Sequence, residues 1–311
     1  MLSKINSLLK KIIYPGQELR AFIVTRLSAA EIKEKVFIKN NGGDMDITGR
    51  HSMTCLDPFS MAVWVTPMEL ASFNPSEIQV IVKRQNKTRS ALRLTLAAQI
   101  DEHNTIILIY RLQHSRSYQG NRLFRFITLA WFLKNATSTY KERRSIAAFY
   151  AYPRKVIVIS YRNEDYFNMF PMDIQGHVSE SNLYLLGLRH SNITLEKILL
   201  TKKLVIADSS RADIKTIYSL GRHFSKAPPK PEELPFVTSE SSLFKFPVPG
   251  FSSAYKEVEI IKHINLGYHM LLIGKIVNAV QLREDDVSLY HIHFFEFAGS
   301  GYKSISNAGY S

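Results

Sequence analysis

A cation and two hydroxyl groups lie close together just past the middle of the chain. Arg189, Ser191 and Thr194 follow a predicted strand and precede a predicted short helix. A guanidinium group and hydroxyls can hydrogen-bond a phosphate, and the free N–H groups at a helix N-terminus also favour an anion. The spacing therefore predicts a phosphate site. The alternative is that Asn192 or Thr194 only caps the helix.

A second distinctive stretch is NMFPM, residues 168–172, which follows an apolar strand and a charged turn. Met169, Phe170 and Met172 can form a flat apolar wall. Pro171 fixes its own φ angle and so holds the backbone extended. An apolar wall with a few polar groups beside it is typical of a site for a planar ligand.

For the remaining candidate residues the sequence pattern indicates structural roles. His291 and His293 alternate on a predicted strand and share a face, but the sequence offers no third metal ligand near them. Cys55 is the single cysteine, so we expect a small buried apolar residue and no internal disulfide. Residues 44–53 carry two acids and a histidine between glycines, and we predict a turn there. Residues 83–93 are the densest basic patch, and an exposed hairpin edge is favoured over a site for a phosphate-bearing partner.

Short β-rich segments position these residues. In the first half the predicted strands are EKVFIKN, MAVWVT, IQVIVKR, ALRLTLAAQI and TIILIYRL, followed by a helix over residues 121–136. In the second half they are KVIVISY, NLYLLGL, KLVIAD, KEVEIIK, GYHMLLIGKIVNAV and SLYHIHFFEF, with short helices in ITLEKILLT and DIKTIYSLGRHF. Several connections are too short for crossover helices, so the pattern predicts a mainly β protein with antiparallel barrels and a few helices. STYKERRS is either the boundary between the halves or the last turn of the first helix.

Length and charge divide the chain into two domains. A chain of 311 residues, 45% of them hydrophobic, is long enough for two cores. Residues 1–150 contain 22 Lys and Arg against 11 Asp and Glu, a net charge of +11, whereas the rest has 18 against 16, a net +2. We predict domains over residues 1–145 and 146–311, with any polyanion-binding tendency on the first. Two β-rich halves of similar size leave a divergent duplication open.

Several function classes are excluded by what the sequence lacks. It has no apolar run of the roughly 20 residues that span a bilayer, and its lysine-interrupted start does not match a secretory signal. We therefore expect a cytoplasmic protein with no membrane contact. Neither a glycine-rich dinucleotide fingerprint nor a P-loop occurs.

The second half resembles the flavin reductase-like FMN-binding proteins, which are built on a split β-barrel. The resemblance covers residues 150–297, about half of the chain, and rests on five short segments in the right order. These segments are YPRKVIVIS (Tyr152 to Ser160), NMFPM (Asn168 to Met172), RHSNITLEKI (Arg189 to Ile198), LVIADSS (Leu204 to Ser210) and HMLLIGKIV (His269 to Val277). The first half, residues 1–145, matches no family that we recognise.

The resemblance implies FMN as cofactor and NAD(P)H as a transient co-substrate, and hence a flavin reductase or related oxidoreductase. In that family the segment matching NMFPM runs along the isoalloxazine ring, the segment matching RHSNIT meets the phosphate, and a histidine before the IG strand lies near the flavin. The implied cofactor-binding residues are Asn168, Met169, Phe170, Pro171, Met172, Arg189, His190, Ser191, Thr194 and His269. Hydride transfer between stacked rings needs geometry more than an acid or base, so we predict no catalytic side chain.

The family commonly forms homodimers with the flavin near the subunit interface. A homodimer is therefore implied, unless the first half supplies the second wall within one chain. The sequence departs from the family where Asn192, Ile193 and Thr194 replace a usual lysine, aspartate and threonine cluster. Two alternatives are thus open. One is a non-catalytic barrel that binds haem, another flat cofactor, or an anionic partner such as a nucleic acid through the basic first half. The other is an assembly protein that dimerises through its first barrel.

Overall fold

The structure, a computed structural model, describes residues 22–40, 43–102, 104–133, 139–223, 230–285, 287–303 and 305. The lysine-interrupted start of the chain and the first residues of the proline-rich loop lie outside the described residues. The fold is mainly β with a few short helices, which confirms the predicted fold class. Among the described residues no helix combines the length and the apolar character needed to cross a membrane.

The strands account for most of the regular structure. In chain order they are β1 (Phe22–Leu27), β2 (Glu34–Asn40), β3 (Gly43–Asp46), β4 (His51–Leu56), β5 (Phe59–Val65), β6 (Glu77–Arg84), β7 (Lys87–Glu102), β8 (Thr105–Ser117), β9 (Arg154–Lys155), β10 (Ile157–Arg162), β11 (Phe167–Met172), β12 (Gln175–Val178), β13 (Leu183–Arg189), β14 (Lys203–Asp208), β15 (Thr238–Glu240), β16 (Pro247–Pro249), β17 (Ala254–Asn265), β18 (His269–Gln281) and β19 (Ser288–His293). The predicted strands all correspond to members of this set. The turn predicted over residues 44–53 is wrong in part, because its ends belong to β3 and β4, which pair with neighbouring strands.

The helices are short, and two of them, the second and third along the chain, connect the halves. They are α1 (Pro67–Leu70), α2 (Arg122–Leu133), α3 (Tyr140–Phe149), α4 (Leu195–Thr201), α5 (Ile214–Leu220) and α6 (Phe294–Ala298). The segment predicted as a boundary or a last helical turn does not end α2, because Thr139 and Glu142 form a capping box that starts α3 as a helix of its own. Its role as a domain boundary stays a prediction. The last predicted strand is shorter than predicted and ends at His293. The His293 ring accepts the backbone N–H of Phe295 and so caps the start of α6.

Two seven-stranded antiparallel sheets carry the fold. The N sheet has the spatial order β3-β2-β6-β7-β8-β5-β4, and the C sheet has the order β11-β10-β14-β17-β18-β13-β12. If the seven strands of each sheet are numbered along the chain, both orders read 2-1-5-6-7-4-3. Identical topology is what a duplicated unit would produce. A short repeat supports this, since Met45-Asp46-Ile47-Thr48-Gly49 and Met172-Asp173-Ile174-Gln175-Gly176 each begin at the end of the second strand of their sheet.

The two sheets pack against each other through an apolar layer. It combines Cys55, Ala62, Trp64, Ile107 and Ile109 of the N sheet with Val178, Leu183, Leu185, Leu271 and Ile273 of the C sheet. Close approach needs glycine at two positions. A Cβ atom on Gly176 would lie 2.8 Å from the Ser52 Cβ, and one on Gly187 would lie 2.5 Å from the Thr54 carbonyl oxygen. The halves are therefore fitted to each other.

The ends of the described chain also join the halves. β1 pairs with β19, and β19 pairs with β9, in a third sheet. In α6, the buried carboxylate of Glu296 accepts hydrogen bonds from Arg89 and Gln119 and lies 3.7 Å from a guanidinium nitrogen of Arg84. The domain boundary predicted between residues 145 and 146 falls within α3.

Candidate functional site

A cavity of about 440 Å³, which we call the interbarrel cavity, lies where the C sheet meets the first half of the chain. Its C-half lining comes from the end of β11, the end of β13, the start of β18, and from α5 and β19. Its N-half lining is Phe22 and Leu56, together with Ile146 and Tyr150 at the end of α3, which we count with the N half because they pack with the N-sheet core. Small-molecule sites occupy roughly 300–1,000 Å³, so the volume suits a ligand of cofactor size. Of the ten cofactor-binding residues implied by sequence, five line this cavity: Phe170, Pro171, Met172, Arg189 and His269.

The NMFPM segment is the extended edge strand β11. Among the described strands it pairs only with β10, so its outer edge carries backbone groups that no strand uses. Phe170, Pro171 and Met172 face the cavity, whereas Met169 is buried in a separate apolar cluster with Val24 and Leu220. Alternation along the strand separates Met169 from Phe170 and Met172, but it does not account for Pro171, which lines the cavity as well.

Asn168 and Thr194 meet each other instead of the cavity. The Asn168 side-chain amide donates to the Thr194 hydroxyl at 2.7 Å and to the His223 carbonyl at 3.0 Å. The Thr194 hydroxyl is also 3.0 Å from the Tyr166 hydroxyl. The backbone N–H of Thr194 donates to the side-chain oxygen of Asn192. Both residues are buried, so they fix the β11 edge against the turn before α4.

The turn after β13 places its remaining polar residues differently. Arg189 lines the cavity, and its guanidinium carbon lies 5.5 Å from the centre of the Tyr268 ring. His190 is exposed and its Nε2 lies 3.2 Å from the Asn265 side-chain oxygen. Ser191 is exposed and lies outside the cavity lining. Arg189 is thus the member of the predicted phosphate cluster that reaches the cavity.

His269 is a buried, neutral imidazole. Its side chain is 1% exposed, and its Nδ1 accepts the backbone N–H of Leu56 at 3.4 Å. Burial, followed by the positive charge of Arg189, lowers the pKa of His269 to about 4. Nδ1 is also 3.5 Å from the Cys55 sulfur, and Cys55 itself is buried. His269 therefore links β18 to β4 across the two sheets and carries no charge at neutral pH.

Three side chains that the sequence did not single out as a group meet at one edge of the cavity. The Tyr150 hydroxyl donates to Asp173 Oδ2 at 2.9 Å, and His291 Nδ1 donates to the same oxygen at 2.7 Å. All three line the cavity, and Phe22 packs edge-on against Tyr150 with ring centres 4.7 Å apart. Because Asp173 holds Nδ1, the Nε2 atom of His291 is the nitrogen left for a ligand.

Electrostatics fix the protonation states of Asp173 and Tyr150. Burial raises the pKa of Asp173, but the hydrogen bond and charge of His291 and the positive charge of Arg154 outweigh burial, so the pKa lies below its usual value. Burial and the negative charge of Asp173 hold the pKa of Tyr150 well above its usual value. At neutral pH Asp173 is therefore an anion, and Tyr150 stays a hydrogen-bond donor.

The corresponding positions of the N half are arranged otherwise. Asp46, the counterpart of Asp173 in the repeat, is exposed and accepts the backbone N–H of Thr48. After β5, the side chain of Glu69 accepts the backbone N–H of Thr66 and binds Arg50 at 2.7 Å. A carboxylate thus occupies the helix start, and the nearby cation is committed to it. The repeat is nevertheless a sequence signal that could have drawn attention to Asp173.

The strand order is that of a split β-barrel, and its cavity lies on the side facing the N half, which has the same topology. No protein-family model matches the chain, and no curated protein is similar to it in sequence.

The similar solved structures are flavin reductases and FMN-binding proteins. The flavin reductase PheA2 is 19% identical over 52% of this chain and 95% of its own, with a TM-score of 0.40. BorF, the flavin reductase component of a bacterial two-component tryptophan halogenase, is 13% identical over 53% and 99%, with a TM-score of 0.44. An FMN-binding protein from Thermus thermophilus is 18% identical over 43% and 74%, with a TM-score of 0.38. Each spans about half of this chain, and at such identities the function has to be argued from the cavity.

Proposed function

We propose that the interbarrel cavity binds FMN and that the chain is a flavin reductase or related oxidoreductase that uses NAD(P)H as a transient co-substrate. The observation that carries the proposal is the convergence of the β11 edge, Arg189 and the Asp173–His291 pair on one cavity of cofactor size. The names of the similar solved structures, which include flavin reductases and an FMN-binding protein, agree with it.

The chain's residues fit the separate parts of such a cofactor. Phe170 and Met172 offer apolar surface to a flat ring, and Pro171 keeps the adjacent backbone extended. Arg189 offers a permanent cation to a phosphate. Phe22 and Ile146 of the N half close the opposite side. Asn168, Met169, His190, Ser191 and Thr194 stay predicted contacts that would have to reach FMN through backbone atoms or a rearranged turn.

When bound, FMN would supply the two-electron chemistry, and the protein would position it. His291 holds a proton at Nδ1 against Asp173, which leaves Nε2 at the cavity edge as a hydrogen-bond acceptor for an N–H or O–H group of the ligand. Tyr150 and Phe22 hold His291 and Asp173 in place. His269, being neutral, adds no charge beside the ring.

The proposal extends to assembly and location. We propose that a single chain completes the cavity, because Phe22, Leu56, Ile146 and Tyr150 stand where a second subunit would be needed. The homodimer implied by the resemblance stays a prediction and would use another surface. A cytoplasmic location likewise stays a prediction.

The test is the visible spectrum of the purified protein followed by FMN titration. We expect the protein to show the absorption of bound flavin as its site nears saturation, and to quench FMN fluorescence. We also expect a higher unfolding temperature with FMN than without it, and FMN-dependent oxidation of NADH or NADPH. Met172→Ser should weaken FMN binding, whereas Met68→Ser, which changes an exposed methionine outside the cavity, should not. A colourless protein whose unfolding temperature does not change at saturating FMN would rule the proposal out, and a haem spectrum would favour the other flat cofactor.

A further inference from the structure

The helical connection between the halves exposes apolar side chains that a globular surface seldom groups together. On α2, Leu123 is 66% exposed and Phe126 is 58% exposed, and Ile127 on the same helix is 36% exposed. The other face of α2 is buried, because Leu129 packs with Ile23 and Phe295. The exposed side chains are therefore not needed for the attachment of α2 to the core.

Arginines surround this apolar group. A surface cavity of about 810 Å³ is lined by Leu123, Phe126 and Tyr140 together with four arginines and a histidine: Arg116, Arg122, Arg125, Arg144 and His114. Among the described residues that line it there is no Asp or Glu. We call this surface the arginine face, and it lies within the half of the chain whose net charge is +11.

Mutual repulsion among these cations costs free energy that a negatively charged partner would remove. Arg116 and Arg122 are exposed, and Arg144 has a buried Nε without a hydrogen-bond partner in the described structure. Arg125 in part caps its own loop, donating to the carbonyl oxygen of Gly120 at 2.7 Å. The face thus combines unsatisfied positive charge with exposed apolar surface.

We propose that the arginine face docks the protein on an anionic phospholipid surface, with Leu123, Phe126 and Ile127 inserted at the level of the headgroups and the arginines bound to lipid phosphates. A helix with apolar residues on one side and basic residues beside them is the typical interfacial anchor, and it needs no membrane-spanning segment. This proposal differs from the sequence-based expectation of no membrane contact, which rested on the lack of a membrane-spanning run and of a secretory signal.

Other occupants suit the face less well. A second copy of the chain bound about a two-fold axis would place arginines against arginines. The N-terminal residues 1–21 have four Lys and Arg and one Glu, so they carry the same sign of charge. A nucleic acid would satisfy the arginines, but the aliphatic side chains of Leu123 and Ile127 cannot stack on bases as aromatic ones do.

The experiment is cosedimentation of the full chain with vesicles of phosphatidylcholine alone and of equimolar phosphatidylcholine and phosphatidylglycerol. We expect binding to the anionic vesicles only, weakened by salt. The double variant Arg116→Gln/Arg122→Gln should lower the vesicle partition coefficient roughly fivefold per arginine, about 25-fold in all. Leu123→Asn/Phe126→Ser should lower it on the order of tenfold.

Matched controls change exposed residues elsewhere. Lys262→Gln on β17 and Leu200→Asn on α4, which is 84% exposed, should bind vesicles like the unchanged protein. Circular dichroism and the unfolding temperature identify variants that are misfolded. Three results would overturn the proposal: no preference for anionic vesicles, an equal loss in the control variants, or loss of a dimer by Leu123→Asn/Phe126→Ser in sedimentation velocity without vesicle binding. Tight binding of a single-stranded oligonucleotide through the same arginines, with none to vesicles, would assign the face to nucleic acid instead.

Discussion

Arg189 is the residue through which a phosphate contact can be tested most directly. Riboflavin has the ring system of FMN but lacks its phosphate. We therefore expect Arg189→Met to raise the dissociation constant for FMN about 10- to 100-fold, the usual loss for a charge-assisted hydrogen bond, and to leave riboflavin binding nearly unchanged. Fluorescence quenching of both ligands measures this.

Arg211→Met is the matched control, because Arg211 is an exposed arginine paired with Asp285 outside the interbarrel cavity. It should change neither dissociation constant. Equal weakening of FMN and riboflavin by Arg189→Met would contradict the phosphate contact and would mean that Arg189 acts through its packing on Tyr268.

His269 makes the stability of the fold depend on pH. Its pKa is about 4 in the folded protein and about 6.5 when unfolded, so below pH 6.5 the unfolded chain binds a proton that the folded chain does not. The free energy of unfolding therefore falls as pH decreases, by about 2 kcal/mol from pH 7 to pH 5 for this residue. In His269→Asn that part of the pH dependence should vanish, whatever the stability at pH 7. Urea unfolding of both proteins at the two pH values decides, and identical slopes against pH would contradict the assignment.

At the scale of elements, α6 binds the two halves through a buried charge. Glu296 is fully buried among Arg84, Arg89 and Gln119. Glu296→Gln keeps the size but removes the charge that pairs with Arg89 and that, together with Glu34, balances Arg84. The free energy of unfolding should therefore fall by about 3 kcal/mol. Glu77→Gln makes the same change in an exposed pair with Arg93 and should have no measurable effect in the same urea titration. Equal stabilities of the two variants would show that α6 is not held by this charge.

The elements also show how far local sequence patterns extend. Runs of β-branched residues predicted the long strands, and the helical spacing after residue 121 predicted α2, because these signals depend on neighbours within one turn or one strand. β1 was not predicted, since its pairing with β19 joins residues more than 260 positions apart. For the same reason Asp173 and His291 were not recognised as a pair, whereas an ordered set of short motifs named Arg189, Phe170 and His269 together, and all three line one cavity.

For the whole molecule, the duplicated topology predicts the number of ligands that one chain holds. The C half has Met172, Asp173 and Arg189 at its cavity, while in the N half Asp46 is exposed and Arg50 is bound to Glu69. The N half therefore forms a wall of the C-half cavity, and we expect one FMN per chain whether the chain is a monomer or a dimer. Sedimentation velocity with flavin absorbance detection measures the ratio of flavin to chain.

Three variants sharpen this prediction. Met172→Ser should weaken FMN binding, whereas Met45→Ser at the equivalent position of the N half should not. Ile146→Ser, which changes an α3 residue of the interbarrel cavity, should weaken binding as well, because that wall belongs to the same chain. Two flavins per chain would contradict the prediction, because the N half would then have kept a site of its own. One flavin per two chains would mean that the cavity needs a wall from another chain.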